Sequence, residues 1–295
     1  MLFGKTAAAS LEDHTAALID LWFTRAPAYP LSISLICTHG HSLPEQVLTI
    51  LAKYFRLWDR IELAIPMADF LILNQVIGPF PSLESVTIQI TDDSVNPSSG
   101  VRVNSVRNSP RLRSLQVMDH GCAVASRKDF VDIPRTLTAL KISRRMMPAT
   151  ITPVHFAALL GHFPHLVHLG GILARSLRVL PSHGITLKPS LETLLLDDES
   201  LLNYFAIPTL KHLGVWPTDM YSAPIVAFIS RSQCHLTSLS LGLYENTYTT
   251  TVISCLSALP ELRTLRLLLT DETRQPGSFN GALWCQVLLR AALVP

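Results

Sequence analysis

The segment PELRTLRL, residues 260–267, predicts the fold, because its pattern recurs along most of the chain. A Pro stands two residues before a Leu, and apolar residues follow that Leu three and five positions later. Seven earlier copies match it with small variations: PSLESVTI (81–88), PRLRSLQV (110–117), PRTLTALKI (134–142), PHLVHLGG (164–171), PSLETLLL (189–196), PTLKHLGV (208–215) and CHLTSLSL (234–241). Chance is a poor explanation for eight copies, so the chain is expected to repeat one structural unit.

Each copy predicts a short β-strand, because positions three and five after the first Leu lie on the same side of an extended chain. Leu239 and Leu241 are such a pair, expected in the core. Pro lacks a backbone donor and fixes its own φ, so it suits the start of a strand better than its paired interior. The first leucines of successive copies are 19–29 residues apart, a spacing in or near the range of leucine-rich repeats.

Amphipathic segments between these strands predict helices. Ile225, Phe228 and Ile229, for example, have the spacing of one buried helical face. The predicted helices are Thr152–His162, Ser200–Ala206, Ala223–Ser230, Thr250–Ala258 and one near Gly281–Ala292. Parallel strands joined by helical crossovers predict an α/β fold, a leucine-rich-repeat-like solenoid with strands on the concave face and helices on the convex face.

The N-terminal part of the chain is interpreted as degenerate units of the same alternation. Its predicted elements are the helices Leu11–Ala26, Pro44–Trp58 and Met67–Val76 and the strands Tyr29–Cys37 and Arg60–Ile65. We therefore expect one domain over residues 1–295. It would comprise degenerate units at 1–80, eight repeats at 81–268, and a C-terminal loop and helix at 269–295.

The composition argues against several classes of protein. With 48% apolar and 16% charged residues, the chain is expected to fold rather than remain disordered. Its 24 basic and 22 acidic residues give a net charge of +2, so neither nucleic acid nor an anionic membrane is an expected partner. No apolar run approaches the ~18–20 residues of a membrane-spanning helix. Five cysteines without a CxxC pair favour reduced thiols in an intracellular protein of the cytoplasm or nucleus.

The sequence contains no motif of nucleophilic hydrolysis or phosphate binding. GxSxG, GxGxxG and GxxxxGK[ST] are absent, and the pair Gly170–Gly171 favours a bulge in a strand. Four histidines are close in sequence, but they fall on a predicted helix, a turn and a strand: His155, His162, His165 and His168. They are therefore not expected to converge on a metal. We predict a non-enzymatic protein that uses no cofactor.

Strand residues that alternate with the core positions point outward and form a candidate binding surface. Most are small, but a mixed aromatic, imidazole and apolar group on adjacent units stands out: His168, Leu195, His212 and Trp216. Trp is enriched at binding hot spots, although Trp216, next to Pro217, equally fits packing into a groove between repeats. We expect this concave strand face to bind a protein partner, with Lys141 and Arg266 as solvated charges at its rim.

Several phrases of the chain occur in a characteristic order. In LIDLWFTRAPAYPLSISL (18–35) a Trp-containing helix runs into a strand, and FISRSQCHLTSLSL (228–241) joins a helix end to a repeat. The other phrases are HSLPEQVLTILAKYFRLWDRIEL (41–63), FPSLESVTI (80–88), SPRLRSLQV (109–117), HFPHLVHLG (162–170) and LSALPELRTLRLL (256–268). Together they resemble the leucine-rich region of the F-box-like proteins of mushroom-forming fungi.

This resemblance implies an adaptor whose N-terminal F-box binds a cullin-based ubiquitin ligase while its repeats bind the protein to be ubiquitinated. Residues 1–20 are too few for a complete F-box, and LPEQVLTILAKYF (43–55) resembles only its opening. We therefore expect the substrate-binding region of such an adaptor, with a cullin-ligase adaptor protein as partner only if a cryptic F-box exists. The alternative is a free-standing or truncated repeat scaffold that binds a protein without recruiting a ligase.

Overall fold

The computed structural model describes most of the chain and divides it into two compact units, Met1–Leu137 and Thr138–Pro295. The described residues are 3–25, 29–37, 42–75, 79–91, 104–107, 109–119, 133–144, 152–172, 185–186, 190–196, 199–216, 222–244, 253, 255–270 and 283–288. Both units are α/β and are built mainly on parallel strands. The expectation of one domain over the whole chain stays a prediction.

The first unit alternates helices and strands. Its elements are α1 (Phe3–Arg25), β1 (Leu31–Ile36), α2 (Glu45–Lys53), β2 (Trp58–Ile65), α3 (Met67–Asn74), β3 (Ser85–Ile90), α4 (Asn104–Arg107) and β4 (Ser114–Asp119). The four strands pair in chain order, each parallel to the next. A 3-10 helix, Phe55–Leu57, precedes β2. The predicted helix Pro44–Trp58 was therefore too long: α2 ends at Lys53, and Trp58 is a buried strand residue that packs on Phe80.

The second unit continues the alternation. Its elements are β5 (Ala139–Arg144), α5 (Pro153–His162), β6 (His168–Ile172), β7 (Ile185–Thr186), β8 (Thr193–Leu196), β9 (Phe205–Ala206), β10 (His212–Val215), α6 (Ser222–Ser232), β11 (Ser238–Tyr244), β12 (Thr264–Thr270) and β13 (Leu283–Leu288). Strands β5, β6, β8, β10, β11 and β12 pair in that order, each parallel to the next. Short strands β7 and β9 pair separately. The helices predicted at Thr152–His162 and Ala223–Ser230 are confirmed as α5 and α6.

The leucines of the repeated pattern form the core, as predicted. In every copy the first Leu is at most 5% exposed, and Leu194, Leu213 and Leu239 three residues later are at most 1% exposed. The register places these three side by side on β8, β10 and β11. On this inward side, Phe156 of α5 and Phe228 of α6 share an apolar interior with Leu194. Helices therefore cover one side of the strands, and the alternating residues point to the other.

The start of the strands is a recurring turn that explains the position of Pro. The backbone N–H of Leu210 donates to the carbonyl of Ile207 at 3.3 Å, so Pro208 occupies the second position of a four-residue turn. Pro is favoured there because its φ is already fixed near the required value. The same bond forms at Leu83, Leu112, Leu166 and Leu262.

A second recurring link joins neighbouring strands just before they pair. The carbonyl of Glu192 accepts hydrogen bonds from the backbone N–H groups of Lys211 and His212, both at 2.9 Å. The residue after the first Leu plays the same accepting role at Glu84, Thr138, Val167, Lys211 and Thr237. This shared carbonyl fixes each strand against the next, so equivalent residues of neighbouring copies lie opposite each other.

Two predicted helices are wrong in the described residues. The segment near Gly281–Ala292 contains β13, which pairs antiparallel with β12. A short apolar run such as LWCQVL fits a strand as well as a helix, and pairing satisfies the backbone groups that β12 would otherwise leave open. Ser200–Ala206 is instead a 3-10 helix, Glu199–Tyr204, followed by β9. This connection belongs to the shortest repeat, and a 3-10 helix rises farther per residue than an α-helix.

The bulge predicted at Gly170–Gly171 is confirmed. The register between β6 and β8 shifts between Leu169 and Ile172, and Gly171 has a φ of 72°. Only glycine adopts that left-handed conformation without steric cost. Residue 253 and residues 255–257 are helical, in agreement with the predicted helix Thr250–Ala258, although Ala258 already lies in a turn. Residues 250–252 and 254 lie outside the described part.

Candidate functional site

The six residues predicted to bind a partner all lie in the second unit, on the side of the strands that faces away from α5 and α6. We call this side the outward face; its described residues are Ala139, Lys141, His168, Gly170, Thr193, Leu195, His212, Gly214, Trp216, Ser238, Ser240, Gly242, Thr264 and Arg266. The register places His168, Thr193 and His212 in one row across three neighbouring strands. Leu195, Gly214, Ser240 and Arg266 form the next row.

Leu195 lies over two buried glycines of the neighbouring strands. A Cβ atom at Gly170 would be 3.3 Å from Leu195 Cδ1, and one at Gly214 would be 2.6 Å from Leu195 Cδ2. The two methyl groups therefore occupy the space that side chains would take on β6 and β10. Leu195 itself remains partly exposed, so it presents an apolar surface supported from below.

Trp216 extends this apolar surface to the next strand. A Cβ atom at Gly214 would be 3.2 Å from its Cη2, and one at Gly242 would be 2.7 Å from its Cδ1. The indole thus lies across β10 and β11, and both the indole and Leu195 lie beside Gly214. Its Nε1 is buried and has no hydrogen-bond partner among the described residues. Leu195 and Trp216 form one contiguous cluster, which we call the Leu195–Trp216 patch.

Imidazoles flank the patch at the N-terminal end of the strands. His168 and His212 are both exposed, on either side of Thr193, and His168 Nδ1 is 3.0 Å from Thr193 Oγ1. Beside them Lys211 Nζ is 2.7 Å from Glu192 Oε1. The hydrogen bond from Lys211 lowers the pKa of Glu192, with smaller contributions from the charges of Lys211, His168 and His212. The carboxylate therefore stays ionised and partly offsets the positive charge of this edge.

Cations stand at both ends of the outward face. Lys141 on β5 and Arg266 on β12 are exposed, and neither forms an ion pair with another described residue. The outward positions described on the strands from β5 to β12 include no Asp or Glu. The face therefore combines a central apolar patch, imidazoles along one side, and a cation at each end.

The histidines and cysteines of the described residues form no metal-binding arrangement. No three His, Cys, Asp or Glu side chains in this part of the chain come together as metal ligands would. His155 and His162 lie on α5, His165 lies in the turn that follows, and His168 lies on β6. Cys37, Cys234 and Cys255 are free thiols. Burial raises the pKa of Cys255 to about 11, which keeps this thiol protonated and unreactive.

Sequence reasoning found the larger residues of the face but missed the glycines beneath them. Gly170, Gly214 and Gly242 were visible only as small outward residues. All three glycines occupy outward positions, four or six residues after the first Leu of their copy. This shared position is the signal that could have revealed space for larger side chains. The pair Glu192–Lys211 was also missed, because its residues precede the strands.

Comparisons with known proteins do not assign this chain to a family. No protein-family model matches the chain, and the search of curated proteins finds no match. The resemblance to fungal F-box-like proteins therefore rests on the sequence phrases alone. Among the described helices, none is both long enough and apolar enough to cross a membrane.

Proposed function

We propose that the chain is a leucine-rich-repeat-like solenoid that recognises a protein partner and carries out no catalysis. Three regularities support the repeat architecture: the buried leucines, the turn with Pro at its second position, and the shared carbonyl between neighbouring strands. Each recurs at equivalent positions of successive copies. Units of this kind stack on their neighbours and leave an extended strand surface for binding.

The observation that carries the recognition function is the Leu195–Trp216 patch. Outward residues around it are mostly small and polar, and three buried glycines hold its two side chains against the strands. A supported aromatic and apolar cluster is the type of surface that dominates binding energy in protein interfaces, because it is already ordered before the partner arrives.

The resemblance to the fungal family extends this proposal. It implies that the chain corresponds to the substrate-binding region of an F-box adaptor of a cullin-based ubiquitin ligase. The competing proposal is a repeat scaffold that binds a protein without recruiting a ligase. The two differ in one observable, which is the presence of the cullin-ligase adaptor protein among the partners of the chain.

The test is an affinity purification of the tagged full chain from a fungal intracellular extract, scored by mass spectrometry. Wild type is compared with the double variant Leu195→Ser/Trp216→Ser, and with Val154→Ser as control. Val154 is an apolar residue of α5 that is 62% exposed, so its replacement alters surface apolarity away from the outward face. Far-UV circular dichroism verifies that all three proteins are folded.

We expect a reproducible client that the double variant loses and the control retains. A client set that is unchanged by the double variant would contradict recognition through the patch. Recovery of the cullin-ligase adaptor protein would support the ligase proposal. Its absence beside a patch-dependent client would support the free-standing scaffold.

A further inference from the structure

We propose that the outward face of the second unit binds an extended acidic segment of a partner protein, with an apolar side chain of that segment seated on the Leu195–Trp216 patch. This inference rests on the proposed recognition function and adds the chemistry of the partner. It follows from the charge of the face, the distance between its two cations, and the shape of its surface.

The described positions of the face carry charge of one sign, although the charge of the whole chain is nearly balanced. The described outward positions of β5 to β12 carry Lys141, Arg266 and two exposed imidazoles, and they carry no carboxylate. Glu192, an acid beside the described part of the face, is paired with Lys211 at 2.7 Å. An acidic partner therefore meets attraction at both ends of the face, whereas a basic partner meets like charges that disfavour its approach.

The separation of the two cations sets the length of the segment. Lys141 on β5 and Arg266 on β12 are five strand-to-strand steps apart in the pairing order. At about 4.8 Å for each step, this separation is about 24 Å. An extended chain rises about 3.3 Å for each residue, so a segment of about seven residues reaches from one cation to the other.

The surface shape of the face favours one apolar contact in the middle of this segment. Leu195 lies on β8 and Trp216 directly follows β10, and both strands lie between those that carry the two cations. The described outward residues around them are glycines and small polar residues, so the patch is the apolar surface that a crossing chain meets at these positions. The strands from β6 to β11 are paired on both sides. Side chains rather than an added strand must therefore provide the recognition.

The experiment measures fluorescence anisotropy of three labelled nonapeptides with the full chain. The first has two aspartates at each end, a central leucine, and glycine and serine between. The second replaces the aspartates with lysines, and the third replaces the central leucine with glycine. We expect the first peptide to bind about tenfold more tightly than either of the others at low salt, and to lose affinity as the salt concentration rises.

Two charge-reversed proteins provide the matched comparison. Lys141→Glu/Arg266→Glu alters the outward face, whereas Arg111→Glu/Arg135→Glu makes the same change in net charge at exposed turn residues outside it. Binding of the acidic peptide should fall about tenfold in the first variant and by less than twofold in the second. Equal binding of the acidic and lysine peptides, or equal affinity of both variants, would overturn the inference.

Failure of the acidic-segment inference is distinguishable from failure of the proposed recognition function. A client captured through the Leu195–Trp216 patch, together with no preference among the peptides, overturns the acidic segment and leaves recognition in place. Loss of both the client and the peptide preference overturns both. Salt dependence of peptide binding by the wild-type chain provides a readout that does not depend on the folding of any variant.

Discussion

Replacement of Leu239 by Ala tests whether the repeated leucines hold the second unit together. Leu239 is fully buried on β11, and the register sets it between Leu213 on β10 and Leu265 on β12. Ser240, the next residue, lies on the outward face and is partly exposed. Ser240→Ala is therefore a matched control on the same strand, in which the side chain changes but the core does not.

The expected cost follows from the carbons that are removed. Leu→Ala deletes three carbons, and burial contributes about 0.8 kcal/mol for each, which gives about 2.4 kcal/mol. The neighbouring leucines are fixed by strands on both sides and cannot fully close the cavity, which adds about 1 kcal/mol. We expect Leu239→Ala to lower the free energy of unfolding by about 3.5 kcal/mol. The control should change it by less than about 0.5 kcal/mol.

The assay is urea unfolding followed by far-UV circular dichroism. With an m-value of about 2.5 kcal/mol per molar urea, the midpoint should fall by about 1.4 M for Leu239→Ala and stay nearly constant for Ser240→Ala. Hydrogen exchange of peptides that cover residues 234–244 localises the loss to β11 and its neighbours. A cost below about 1 kcal/mol for Leu239→Ala, or equal costs for the two variants, would refute the assignment of inward and outward residues.

Three further predictions concern single contacts. Gly242→Val should displace the indole of Trp216, whose Cδ1 is 2.7 Å from the new Cβ position, and shift the tryptophan fluorescence; an unchanged spectrum would contradict the packing described. Cys255, with a pKa of about 11, should react with iodoacetamide at pH 8 about 100-fold more slowly in the native chain than in urea. Peptide mapping measures both rates, and comparable rates would contradict the burial of this thiol. Lys211→Met should destabilise the chain more at pH 7 than at pH 3 in thermal melts. The pKa of Glu192 is lowered in the folded state. The stability that the Lys211–Glu192 pair contributes is therefore present above the unfolded-state pKa and is lost as the pH falls through the folded-state pKa. A difference in melting temperature that does not depend on pH would contradict this coupling.

The core could be predicted from the sequence because its signal is repeated. Any single LxxLxL segment is ambiguous, but eight copies average out local exceptions such as Gly171, and the buried leucines occupy the positions expected of them. The C-terminal segment with β13 had no such support. Its apolar residues fit either a helix or a strand, and pairing with β12, which no local pattern encodes, selected the strand.

The candidate site could be predicted only in part, for a related physical reason. Alternation along a strand shows which residues face outward, so His168, Leu195, His212 and Trp216 were assigned to one face from sequence alone. Their packing depends on residues of other strands. That Leu195 and Trp216 both lie beside Gly214 follows from register and side-chain direction, and neither can be derived from the spacing within a single repeat.

The site arises where the repeat departs from regularity. A run of identical units would present the same small residues at each outward position, and such a surface has little to distinguish one partner from another. Glycines at 170, 214 and 242 remove side chains, and Leu195 and Trp216 fill the space that they leave. Both changes are needed, because a large side chain without the glycine floor would stand free and lose more conformational entropy on binding. In the proposed function, the regular positions of the repeats provide the frame and these irregular positions provide the specificity.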